Sequence, residues 1–317
     1  MKYRPYQTED DYWSMRDFLR RVYLRNDRRE DSWHVARLDY ARRHVLLNIA
    51  ELDLADVATL WEADGELVAF IMPDGGPGEA HLCVHPDQDT AELETEMLAV
   101  AEEKLAAEEE GRRRLTVWSP VSNRMRQDLL RERGYTKGDG PEHQWRRTLN
   151  APIPDVPLAP GYTIRALGDG LELLERCYAS GLGFHEGDIS IAVDNREDPT
   201  WYRNIQTAPL YRRDLDLVAV AADGAIAAFC TIWFDDATRS AMFEPVATVP
   251  AHQRRGLGKA LLTEGLRRLQ RMGAIVVTVG GYSEAANALY RSVMGDDFDL
   301  YEPWEKEWQK EVTDSID

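Results

Sequence analysis

The residues best suited to chemistry lie in one segment, Val249-Pro-Ala-His-Gln-Arg-Arg-Gly-Leu-Gly-Lys-Ala260. A strand-like run ends at Pro250, a loop with two glycines follows, and the loop opens an amphipathic helix. The first N–H groups of a helix lack intrahelical partners, and the macrodipole places about half a positive charge there. Glycine lets the backbone approach an anion closely, and successive N–H groups form a concave nest. Gln253, Arg254, Arg255, Gly256, Leu257, Gly258, Lys259 and Ala260 therefore read as a pyrophosphate cradle. The alternative is that the two glycines serve only as turn residues. A dinucleotide fingerprint needs a third glycine and an acidic residue about 20 positions on, and neither is present. A nucleotide-binding P-loop needs Gly-Lys-Ser/Thr, whereas Lys259 is followed by Ala260.

The elements around this loop recur along the chain. In the second half, Leu171 to Ala179 reads as a helix, and two strands form a hairpin around Asp223-Gly224. Ala241-Met-Phe-Glu-Pro-Val-Ala-Thr-Val249 is a strand and Gly256 to Met272 a helix with leucines on one side. Ala274 to Val279 is a strand, Glu284 to Val293 a helix, and Tyr301 to Trp308 the last strand. The first half has the same order: helices over Glu9 to Tyr23 and Ser32 to Asn48, a hairpin at Asp64-Gly65, and a strand ending at Pro86. A helix over Ala91 to Glu109, a strand over Arg114 to Trp118 and a helix over Asn123 to Arg133 complete it. Four prolines between Ala151 and Gly161 mark a connector. This predicts an α/β fold with a mixed sheet, written twice: residues 1–150, a linker at 151–160, and residues 161–317. The first copy has no glycine after Pro86 until Gly111, so it lacks the cradle.

Residues 241–298 resemble the GNAT family of acetyl-CoA-dependent N-acetyltransferases. The family's loop, Gln/Arg-x-x-Gly-x-Gly/Ala, is matched by Gln253, Gly256 and Gly258. Its following strand and Leu-Tyr helix are matched by Ala274 to Val279 and Ala286-Asn-Ala-Leu-Tyr290. The arrangement of two copies is similar to that of mycothiol-synthase-like members. The resemblance implies tandem acyl-CoA N-acyltransferase folds and acetyl-CoA as co-substrate, with no metal. It implies backbone contacts to the thioester from Ala247, Thr248 and Val249, with Asn287 beside the cofactor. It also implies Tyr290 as the acid that protonates the departing thiolate. A base must free the acceptor amine of its proton, since an aliphatic amine has a pKa of about 10. Glu244, a carboxylate in an otherwise apolar strand, is the first choice, with Asp235 and Asp236 as rivals. In the family the stretch Gly181-Leu-Gly-Phe-His-Glu-Gly-Asp188 covers the acceptor. Its glycines predict movement, and Phe184, His185 and Glu186 are candidates for holding a cationic amine. Two departures stand out: Ser283 occupies a position that is often Asn, and Tyr290 is followed by an enlarged Gly-Phe step, Gly295-Asp-Asp-Phe298, which predicts a reshaped helix end.

Composition limits the partners. The 317 residues carry a net charge of -18, with an acid excess in both halves. Nucleic-acid binding depends on neutralising phosphates, so a nucleic-acid partner is not expected. No apolar run approaches the ~20 residues that span a bilayer, so no membrane association is expected. Three widely spaced cysteines form no disulfide framework and suggest a cytoplasmic setting. The expected activity is acetyl transfer to the primary amine of a small molecule by direct attack in a ternary complex, in a monomer or homodimer. The alternative is a non-catalytic acyl-CoA-binding sensor or scaffold module.

Overall fold

The computed structural model describes residues 1–109 and 111–308. In chain order the first elements are β1 (Lys2–Pro5), α1 (Glu9–Arg25), α2 (Val35–Tyr40), α3 (Leu54–Val57), β2 (Thr59–Ala63), β3 (Glu66–Met72) and β4 (Glu79–Val84). They continue with α4 (Ala91–Lys104), β5 (Ala107–Glu109), β6 (Arg112–Pro120), α5 (Arg124–Glu132), β7 (Thr136–Lys137) and β8 (Glu142–Thr148). After the proline-rich stretch come β9 (Tyr162–Ala166), α6 (Leu171–Phe184), α7 (Ile189–Glu197), α8 (Thr200–Gln206), β10 (Asp216–Ala221) and β11 (Ile226–Asp235). The chain closes with β12 (Ser240–Thr248), α9 (Leu257–Arg271), β13 (Val276–Gly281), α10 (Glu284–Met294) and β14 (Phe298–Trp308).

The chain forms two compact units that are discontinuous in sequence. Of the described residues, the first contains 1–34, 45–109, 111–142 and 299–308, and the second contains 35–44 and 143–298. In the first unit the strands run β1-β2-β3-β4-β6-β14, and in the second β9-β10-β11-β12-β13-β8. Each has one parallel pair, β4 with β6 and β12 with β13, within an otherwise antiparallel order. The last strand of each sheet comes from the other half of the chain. Antiparallel β14 covers β6 from Trp308↔Arg113 to Tyr301↔Pro120, and β8 covers β13 from Thr148↔Val276 to His143↔Gly281. Residues 35–44, including α2, likewise pack in the second unit, with Tyr40 edge-on to Trp233 at 5.9 Å. The units therefore do not follow the sequence division at residues 150 and 161.

In the second unit, hydrophobic alternation places Ala228, Cys230 and Ile232 of β11 on one face, covered by Leu257, Leu261, Leu262, Leu266 and Leu269 of α9. The proline-rich stretch is strapped to the same helix. Gln270 donates to the carbonyls of Leu149 and Ala151, Arg267 pairs with Asp155, and Leu158 packs on the core.

Three expectations change. Ala107–Glu109 ends no helix but pairs antiparallel with Arg112–Arg114 across a tight turn. The helix expected over Ser32 to Asn48 is α2 followed by a wider π-helical stretch, Ala41–Ala50. Gly181 and Gly183 lie in the final turns of α6 rather than in a movable loop. A Cβ on Gly181 would lie 2.5 Å from Ala192 Cα, and one on Gly183 3.1 Å from Ala247 Cβ. They let α6 touch α7 and β12. The segment after Tyr301 does form a strand, within β14. The sequence also predicts fraying of Val312 to Asp317, and these lie outside the described residues.

Candidate active site

The site arises where two strands stop pairing. β12 and β13 share only three register positions, Ser240↔Val276 to Met242↔Thr278, although both continue further. A bulge opposite Thr231 sets two residues, Glu244 and Pro245, against one. Pro245 has no N–H to lose there. Beyond the bulge, Val249 N–H donates to Ala227 at 2.9 Å. Alternation of the antiparallel ladder then turns the N–H and C=O of Val246 and Thr248 away from β11, into the splay. Thr248 O accordingly accepts from Gln253 Nε2 at 3.2 Å.

The splay opens a cleft of about 1030 Å³. Its walls are Val246, Ala247 and Thr248 of β12, His252 to Arg254 and Gly256 to Lys259 of the loop and α9, and Ser283 to Ala286 with Ala288 to Tyr290 of α10. Gly183 and Phe184 of α6 close it. Gly256 caps α9 in the left-handed region, at φ +75°, and no side chain caps the helix. Arg254, at φ +61°, makes a second left-handed step. The free N–H groups of α9 thus meet the cleft together with Arg254 and Lys259. Gly258 is buried between elements: a Cβ there would lie 3.0 Å from Leu289 Cδ2.

The expected loop residues mostly converge. Ala247, Thr248, Gln253, Arg254, Gly256, Leu257, Gly258 and Lys259 line the cleft, as do Phe184 and Tyr290. Val249 and Ala260 are buried away from it, and Arg255 points outward, donating to Ala251 O. His185 and Glu186 are exposed beyond α6 and do not line it. Asn287 is turned to the far side of α10, where its Oδ1 accepts from Trp145 Nε1 at 2.8 Å. Ser283 both lines the cleft and caps α10, accepting from Ala286 N at 3.2 Å. The enlarged Gly-Phe step leaves α10 regular, with the extra residues beyond Gly295 at φ +96°. The sequence places His252 just before the loop, which predicts a solvent-facing side chain; instead it lines the cleft, with Nδ1 2.9 Å from Tyr162 Oη. Its place three residues after Val249 was the only signal for it.

Tyr290 is buried, and its hydroxyl has no hydrogen bond to the protein among the described residues. Burial pushes its phenol well above the ordinary value, and the negative charge of Glu244 adds to the effect. Glu244 thus sits within electrostatic reach of Tyr290. It is half-buried, and its carbonyl accepts from Trp233 Nε1. Asp235 is spent on the hairpin, accepting from Thr238 N at 3.1 Å and Oγ1 at 2.7 Å.

In the first unit the corresponding wedge is filled by the protein itself. Arg126 on α5 is buried and donates to Leu82 O on β4 at 3.2 Å. It also forks onto Glu94, buried in the first turns of α4, at 2.6–3.0 Å. Thr90 Oγ1 caps that helix.

A splayed parallel strand pair beside an uncapped, basic helix start can receive an extended ligand that carries phosphates. Residues 182–295, a little over a third of the chain, match the family described as Acetyltransferase (GNAT) family. No curated protein sequence matches the chain. Among solved structures it is similar to a GCN5-related N-acetyltransferase from Sphaerobacter thermophilus, with 22% identity over 96% of this chain and 95% of that one, at a TM-score of 0.62. It is also similar to a tandem GNAT protein from the clavulanic acid biosynthesis pathway, with 16% identity, 96% and 98% coverage and a TM-score of 0.62. A GNAT-family acetyltransferase from Colwellia psychrerythraea shows 11% identity, 96% and 100% coverage and a TM-score of 0.61. These likenesses establish the fold across both halves. No helix among the described residues is long and apolar enough to cross a membrane, and none of their His, Cys, Asp and Glu side chains form a group of three or more that could hold a metal.

Proposed function

We propose that the second unit transfers acetyl from acetyl-CoA to the primary amine of a small molecule, by direct attack with both substrates bound. The observation that carries this reading is the cleft itself: free N–H groups of α9 at one end and the buried Tyr290 hydroxyl on the wall. The donor supplies an acetyl group activated as a thioester. The α9 N-terminus, Arg254 and Lys259 hold its phosphates. The N–H groups of Val246 and Thr248 run along its amide chain and face the developing oxyanion. Glu244 takes the amine proton, directly or through a water.

Tyr290 stays fully protonated, because burial disfavours phenolate. It therefore offers a hydrogen bond to the leaving sulfur. The thiol, ordinarily at about 8.5, is the stronger acid of the two, so Tyr290 stabilises the departing thiolate through this hydrogen bond, and transfer of its proton is completed only as the proton taken from the amine replaces it. The first unit serves as scaffold, since Arg126 and Glu94 fill its wedge. A thiol-release screen of amines against acetyl-CoA tests the reading. Release above background with at least one amine supports it, and no release with any amine contradicts it.

A further inference from the structure

Helix α6 carries a buried cation that no described residue hydrogen-bonds. Arg176 is 0% exposed, and its Nε, Nη1 and Nη2 have no hydrogen-bond partner among the described residues. The guanidinium lies 3.4 Å from the Phe229 ring centroid and 4.7 Å from that of Tyr202. Ring faces offset part of its charge but satisfy none of its donors in the plane. Asp216 feels the charge, yet its oxygens are taken: they accept from the Tyr202 and Tyr211 hydroxyls at 2.7 Å and from Thr231 at 3.3 Å. His44 is held neutral, its pKa pushed down to about 4 by burial and by Arg176. Burial of a charge without hydrogen bonds is expensive, so a buried guanidinium kept in this state points to a partner that arrives from outside.

The route from the cleft is short. Arg176 and Gly183 stand seven residues apart on α6, on the same face. Gly183 lines the cleft, and a Cβ there would lie 3.6 Å from the Phe229 ring. Phe184, also on the cleft wall, packs on Phe229 at 5.9 Å and is 52% exposed. One aromatic ring therefore separates the guanidinium from the space that receives the acceptor. A fork of donors in aromatic surroundings matches a planar carboxylate. The neighbouring Asp216 disfavours a dianion such as phosphate.

We propose that Arg176 binds a carboxylate of the acyl acceptor, so that the acceptor is an amine that also carries a carboxylate, as an amino acid does. This rests on the acyl-transfer reading of the cleft. The test is thiol release with amino acids, each compared with its methylamide, which keeps the amine and lacks only the carboxylate. Loss of one partner of a buried pair is severe, so kcat/KM for the preferred acid exceeds that for its amide by about 100-fold or more. In Arg176→Met the ratio falls to within a few-fold, while CoA affinity measured by calorimetry is unchanged. Arg176→Lys, which keeps the charge without the fork, falls between the two. Equal rates for acid and amide in the wild type overturn the proposal, as does an equal loss on both substrates in Arg176→Met. If no amine releases thiol, the transfer reading fails by itself. The anion site is then read by thermal melting with N-acetylglycine and N-acetylglycinamide. A rise in Tm with the acid alone, absent in Arg176→Met, supports the site, and no rise in the wild type overturns it.

Discussion

Trp145 donates its indole N–H to Asn287 at 2.8 Å, and Tyr290 follows Asn287 by three residues on the same helix. Strand β8, written before the proline-rich stretch, thus anchors the helix that carries the proposed acid. Trp145→Phe removes one half-buried hydrogen bond and leaves Asn287 Oδ1 without this donor, at a cost of about 0.5–1.5 kcal/mol. Denaturant unfolding measures this. Asn287→Ala leaves CoA affinity within about twofold by calorimetry, because the side chain does not line the cleft; a loss above about tenfold (about 1.4 kcal/mol) contradicts that placement.

Tyr290→Phe keeps the buried ring and removes only the hydroxyl. Turnover falls by about 10²-fold or more, on the scale of one general acid, with little change in CoA affinity. Because the phenol is raised above its ordinary value, activity shows no alkaline limb from Tyr290 near pH 10. A wild-type loss at pH 10 that disappears in Tyr290→Phe would show the hydroxyl ionising there.

The cradle was legible because its signal is local: glycines at two positions and a polar-to-apolar switch into α9 lie within a dozen residues. Tyr290 and the hairpins were legible for the same reason. What was not legible depends on long-range pairing. Nothing within β8 or β14 says which sheet it completes, and residues 35–44 carry no mark of the sheet they cover. The glycines at 181 and 183 read as flexible because their close neighbours, Ala192 and Ala247, are distant in sequence. The resemblance implies Asn287 beside the cofactor, whereas the fold ties it to Trp145, whose place in the neighbouring strand has no local sequence mark. Arg126 and Glu94 stand 32 residues apart, and their pairing has no sequence signature.

That pair gives a further prediction. Arg126→Met leaves Glu94 buried and unpaired, and costs about 3–5 kcal/mol. Arg126→Met combined with Glu94→Met costs less than Arg126→Met alone. A double-mutant cycle by chemical unfolding reads this, and simple additivity would contradict the pairing.

His44 sets a pH dependence. Its folded pKa of about 4 lies below the ordinary value of 6.5, so the stability it contributes is present above pH 6.5 and is lost as pH falls toward 4. Between pH 7 and 4.5 the wild type loses on the order of 1–3 kcal/mol more than His44→Phe. Parallel urea titrations at the two pH values give the difference, and equal losses would remove His44 from the account.

The proposed acyl-CoA site is single and built on the α9 N-terminus. Isothermal calorimetry with CoA reads it without an acceptor. One site per chain is expected, with binding lost in Gly256→Glu and Gly258→Glu, which place a carboxylate where phosphates are held and, at position 258, a side chain against Leu289. Absence of binding to the wild type, or wild-type affinity in both variants, would contradict it.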